Sequence, residues 1–300
     1  MSHRSRRLIL IGIPLLWLLV FFFAPFLIVL KISLSDTAIA QPPYVPTLDL
    51  AAGWTGIRDF VSELDFESYS YLIDDALYVK AFLSSLRIAI VSTFIALLVA
   101  FPLAYGMARA PEKWRPILVT LVILPFWTSF LIRVYAWIGI LRSEGLLNQF
   151  LLGLGVISEP LQIMNTPTAV YIGIVYSYLP FMVLPIYSTL EKMDESLLEA
   201  AIDLGCTRIS AFWLVTLPLA LPGIIAGCFL VFIPAMGEFV IPDLLGGSNT
   251  LMMGKTLWTE FFSNRDWPVA SAVAIVLLAA LVVPILIFQR QAERQQEALK

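Results

Sequence analysis

Long apolar stretches alternate along the chain with shorter polar ones. The apolar runs fall at 8–30, 83–105, 117–141, 168–190, 219–240 and 269–288, each near the ~20 residues that a helix needs to cross a bilayer. The pattern predicts an all-α integral membrane protein with six transmembrane helices. It also predicts an order: a tail and first span over 1–30, an external polar segment over 31–82, a five-span core over 83–288 with a polar loop at 191–218, and a tail over 289–300. The run at 8–30 is longer than the core of a signal peptide and reads as an uncleaved first span. Pro102, Pro125, Pro180, Pro185 and Pro234 interrupt the runs. Each frees backbone groups that only neighbouring protein or a hydrated cavity can satisfy, so kinked, closely bundled helices are expected.

Charge orients this set. Arg4, Arg6, Arg7, Arg109, Lys113, Arg115, Lys192, Arg208, Arg290, Arg294 and Lys300 fall in segments on one side, while the longer segments of the other side carry fewer bases. By the excess of basic residues on the inner side, both termini are cytoplasmic and segment 31–82 is external. A content of 59% hydrophobic and 14% charged residues leaves little room for a soluble domain, and a net charge of -3 gives no sign of nucleic-acid binding. Cys206 and Cys228 lack metal-ligand spacing, and His3 is the single histidine. No metal site, no structural disulfide and no intramembrane catalytic centre is expected.

The polar loop at 191–218 is unusual. Ser196 followed by Glu199 matches a capping box, so a short helix is expected from Leu197, ending at Gly205, where glycine takes the left-handed conformation cheaply. Ala201 and Gly205 lie four apart on one face, small enough for another backbone to approach closely. A second short helix is expected at 208–215, ended by Leu217-Pro218. The loop carries Glu191, Asp194, Glu195, Glu199 and Asp203 against Lys192 and Arg208. An amphipathic helix resting on the membrane is the alternative, but that acidity suits a protein partner better than an anionic lipid surface. The succession Glu199-Ala200-Ala201, Gly205, Val215 and Leu217-Pro218 resembles the coupling loop of permease subunits in ABC importers. The resemblance implies that Glu199, Ala200, Ala201 and Gly205 belong to a helix that docks on a cytoplasmic ATPase; Val215 stands where the family usually has Ile.

Two charges fall within the apolar runs and call for a partner or a wet cavity. Counted by helical rise from the cytoplasmic ends of their runs, Arg133 and Glu238 both sit about 24 Å up. They are expected either to pair with each other, or Arg133 with Glu260, as a structural tie, or for Glu238 with Asp243 to line a gate for a cationic solute. Trp127, Tyr176, Tyr178 and Phe239 are candidates for the same passage, because aromatic faces attract amines. Gly223 and Gly227 offer a small-residue face for helix packing.

Four stretches around these residues, 124–141, 170–187, 232–247 and 264–275, are similar to the permeases of polyamine ABC importers, most to the putrescine-type subunit, and the likeness runs over about 8–288. It implies a type I ABC importer fold, a second related permease chain, two copies of an ATPase, a periplasmic solute-binding protein and a polyamine cargo, in the inner membrane of a bacterium. ATP and Mg would be held by the ATPase partner, since this chain has no phosphate-binding glycine loop. The rival readings are a permease for another small solute, or an ion-coupled secondary carrier; the matching broken halves typical of such carriers are not seen in the sequence.

Overall fold

The computed structural model describes residues 3–47, 53–248 and 250–298. Contacts divide the chain into two units, Met1–Lys80 with Thr256–Lys300, and Ala81–Lys255. The chain opens with α1 (His3–Leu18), a π turn at Leu19–Phe23 and α2 (Ala24–Ile32). Together these give a span at Leu10–Ile32, apolar on all sides and with none of its residues buried.

Segment 31–82, expected to be external, contains regular structure among its described residues. Strands β1 (Asp36–Thr37) and β2 (Tyr44–Val45) pair antiparallel, and α3 (Gly53–Ser62) and α4 (Glu67–Asp74) follow. Lys31 at the end of α2 anchors this hairpin. Its ammonium donates to the Pro46 carbonyl at 2.5 Å and lies 4.0 Å from the Tyr44 ring. Thr37 donates to Asp266 at 2.8 Å, tying the hairpin to the loop before the last helix.

Helix α5 (Ala76–Ala108) starts well before residue 83, because α4 and α5 are separated by Asp75 alone, whose carboxylate accepts the Leu77 N–H at 2.8 Å. Ala96, Ala100, Ala104 and Ala108, spaced by four, form a buried stripe on it. The predicted third span, 117–141, is not one helix. It consists of α6 (Arg115–Ile123), a 3-10 turn at Leu124–Trp127 and α7 (Phe130–Leu141), bent by 89° at the break. Pro125 and the extended backbone of Thr128 and Ser129 cause the bend. Helix α8 (Leu146–Gly153) follows, and buried Asn148 holds the next loop through bonds with Leu161 in both directions, 2.9 and 2.8 Å.

Helices α9 (Pro167–Glu191), α10 (Ser196–Asp203), α11 (Arg208–Ala211) and α12 (Leu217–Met236) complete the centre of the second unit. The most extensive helix pairing joins α9 and α12. A Cβ added at Gly223 would meet Pro185 O at 2.6 Å, and one at Gly227 would meet Met182 Sδ at 2.8 Å, so these glycines set the approach of the two helices. The alanine stripe of α5 joins this core with Met182, Ile186, Ala220 and Ile224.

Leu217-Pro218 does not end a separate loop helix. Residues Arg208–Met236 run as one helix, and a π turn at Phe212–Thr216 absorbs the proline's missing N–H. The fifth span stops at Met236, short of residue 240; a break precedes α13 (Val240–Leu245), then α14 (Met253–Trp258) and α15 (Trp267–Ala298). Among the described residues, four helices are long and apolar enough to span a bilayer, five if the bent pair counts as one. The predicted sixth run, 269–288, falls on α15.

Candidate functional site

The loop helix and the charged cavity both lie in the unit Ala81–Lys255. In the loop, α10 covers Ser196–Asp203 and carries Glu199, Ala200 and Ala201. Its end is as the glycine predicts. Gly205 has φ 92°, its N–H donates to Ile202 O at 2.8 Å, and Cys206 N–H reaches back to Ala201 O at 3.0 Å. This is a Schellman closure. The start corrects the sequence reading. Ser196 is already inside the helix, and no capping box forms, since Asp194 accepts the Ser196 N–H at 3.0 Å instead. Those bonds from Ser196 hold the Asp194 carboxyl below the usual carboxylate range. Glu195 occupies the cap position, yet its side chain turns away to an ion pair with Arg109, just past the end of α5, at 2.5 Å. Exposed apolar side chains surround α10: Leu197, Ile202, Leu204 and, beyond the turn, Ile209.

The second site is a cavity of about 420 Å³ bounded by α7, α9 and the α12–α13 break. Glu238, Tyr178, Phe239, Phe126, Arg133 and Ser177 line it. Glu238 is 7% exposed, and its carboxylate is fully engaged. One oxygen accepts the N–H groups of Phe239, Val240 and Ile241 at 3.1, 3.0 and 3.4 Å, and the other accepts the Tyr178 hydroxyl. The break in the fifth span explains this: the first N–H groups of α13 have no partner within the helix, and Glu238 supplies one. Buried negative charge is thereby held in place without a basic residue.

Arg133 does not pair with Glu238. Its Nη1 donates to Pro125 O at 2.9 Å, and its guanidinium lies 4.8 Å from the Phe126 ring centre and 5.8 Å from that of Phe130. The 89° bend invalidates a depth counted along one straight helix, which is why the expected partnership fails. Pro125 O also accepts from Thr128 N–H and hydroxyl, at 3.3 and 2.8 Å, so three donors satisfy the carbonyl that the break frees. Glu260, the other expected partner of Arg133, accepts from Tyr78 and Asn264 at 3.0 and 2.8 Å.

Of the sequence-predicted path residues, the cavity brings together Glu238, Phe239 and Tyr178. Tyr176 packs edge-on against Trp137, ring centres 5.3 Å apart, and is not among the lining residues. Trp127 is 76% exposed and outside the cavity. Asp243 forms an ion pair with Lys255 at 3.2 Å and is not among the lining residues. Ser177, Phe126 and Phe181 are lining residues that the sequence did not single out; the Leu-Pro-Phe runs holding both phenylalanines were the available signal, and their rings meet edge-on at 5.2 Å.

Residues 100–295 match the family described as "Binding-protein-dependent transport system inner membrane component". The chain is 46% identical over 224 residues to the spermidine/putrescine transport system permease protein PotB of Escherichia coli (strain K12), covering 75% of this chain and 81% of that protein. The protein of the same name from Haemophilus influenzae is 41% identical over 282 residues, 94% of this chain and 92% of the relative. Among solved structures, a bacterial ABC transporter involved in the import of the acidic polysaccharide alginate superposes with a TM-score of 0.69 at 16% identity, over 97% of this chain and 96% of that one. That likeness carries the fold.

Proposed function

The chain belongs to the family of binding-protein-dependent transport system inner membrane components, and we propose on that footing that it moves a polyamine through the bacterial inner membrane as one permease subunit of an ATP-driven importer. The permease itself is not catalytic. In this reading six spans place both termini in the cytoplasm, with α15 as the sixth, and a second, related permease chain completes the passage. A pair of ATPase subunits docks beneath α10, and a periplasmic solute-binding protein delivers the cargo from the side of segment 31–82.

The observation that carries the cargo reading is the Glu238 carboxylate, buried in an aromatic cavity without a basic partner. An ammonium entering there meets a fixed negative charge and ring faces, each ring worth roughly 0.5 to 2 kcal/mol to a cation. The names of the PotB relatives point to the same chemistry. Within this class a preference for putrescine over spermidine, suggested by the putrescine-type resemblance, belongs to the same proposal.

The reading includes alternating access, which the connectivity supports. Because Arg208–Met236 is one continuous helix, a pull on α10 and the turn at Gly205 would tilt it and move the break at Glu238. The test is Glu238→Gln in the full complex reconstituted in vesicles. Amine uptake is expected to fall roughly a hundredfold, the scale of a lost buried charge interaction of about 2.7 kcal/mol, with assembly unchanged. A loss of assembled complex that accounts for all the lost uptake would make Glu238 a structural cap only.

A further inference from the structure

Among the described residues, Arg133 is the one fixed cation on the cavity wall, and a passage for amines does not by itself call for one. The residue is 9% exposed. Its guanidinium makes a single hydrogen bond, to Pro125 O at 2.9 Å, and its Nε is buried with no acceptor. No carboxylate of the described residues lies within ion-pair distance of it. Ser177 Oγ, on the same wall and 3% exposed as a residue, is likewise buried without a partner.

A charge this deep ordinarily holds a counter-charge. Here the ring faces of Phe126 and Phe130 take that place, at 4.8 and 5.8 Å. That is the interaction by which a cargo ammonium would be held. Arg133 therefore sits where one cargo charge would sit, and it adds a positive charge to the wall that also holds Glu238. Its single bond also crosses the break of the third span, from α7 to the 3-10 turn, so nothing but that bond and two rings resists its displacement.

We infer that Arg133 is a specificity-determining residue, a tethered cation that fills the Phe126 seat and limits how much positive charge an amine can bring beside Glu238. The consequence is selection for diamines over amines with more ammonium groups. The inference rests on the reading of the cavity as an amine passage. At an effective dielectric constant of about 20, like charges held within one cavity repel by enough that each added cargo charge costs roughly tenfold or more in occupancy.

The experiment uses the reconstituted complex with its partner permease, ATPase and binding protein. Uptake rates of putrescine and spermidine are measured with each amine presented on saturating binding protein, so that delivery does not set the ratio. Arg133→Met is expected to raise the spermidine-to-putrescine ratio roughly tenfold, and Arg133→Lys to leave it near the original value. Ser177→Asp, which offsets the same charge from α9 with Arg133 intact, is expected to move the ratio in the same direction and decides the matter if Arg133→Met does not assemble. A ratio unmoved in the assembled variants overturns the inference while leaving the amine passage standing. A complex that carries neither amine before any substitution overturns the passage itself, and the inference with it.

Discussion

A carboxylate in an apolar run is expensive, and the partners of Glu238 are hydrogen-bond donors rather than a cation. Three N–H groups of α13 and the Tyr178 hydroxyl surround it. Asp243, five residues on, is a different case: its partner Lys255 lies at 3.2 Å and its side chain is 56% exposed. Exposed pairs of this kind contribute about 0 to 1 kcal/mol. Asp243→Asn is therefore expected to leave amine uptake within about twofold of the original, in contrast to Glu238→Gln; parallel initial-rate measurements check it, and an equal loss in both variants would mean that the passage includes Asp243. That Glu238, Tyr178 and Phe239 belong together was legible, because intramembrane charge must find polar company. Two other expectations meet a different geometry, for reasons the chain itself contains. Tyr176 and Tyr178 are two residues apart, about 200° around a helix, so one cavity could not take both. The Thr128-Ser129 pair after Pro125 marks a break at which helical depth can no longer be counted.

Among the elements, α10 and its turn are the most exposed to test. Gly205 at φ 92° has open space around it, so a larger side chain there is opposed by backbone conformation and not by a clash. Gly205→Val is expected to cost ~1 to 2 kcal/mol locally, misalign α10 and abolish uptake, while the protein is still found in the membrane at its usual level; quantitative immunoblotting beside an uptake assay separates the two. Normal uptake by that variant would remove the turn from the mechanism. The stop of this helix was legible because a glycine after an apolar-periodic segment has few other uses. Its start was not, since Ser196-x-x-Glu199 fits a capping box only if Ser196 precedes the helix, and Asp194 competes for the same N–H. The continuity of Arg208–Met236 was hidden for a related reason: Leu217-Pro218 reads as a terminator unless a π turn intervenes, and nothing in the local sequence announces one.

At the level of the whole molecule, hydrophobic runs gave the membrane class and placed the long helices, because lipid leaves no other way to satisfy the backbone. They could not show the β1–β2 hairpin anchored by Lys31, nor the broken third and fifth spans, which depend on partners distant in sequence. Those breaks position the cavity, and the continuous helix Arg208–Met236, which begins just past the turn that closes α10, ends beside it. The account stands on transport being driven through that connection. The most direct measurement is uptake of labelled putrescine into vesicles holding the complete complex and loaded binding protein, with ATP enclosed and no ion gradient, against the same vesicles with a proton gradient and no ATPase chains. The account predicts uptake in the first and none in the second; accumulation driven by the gradient alone would contradict it.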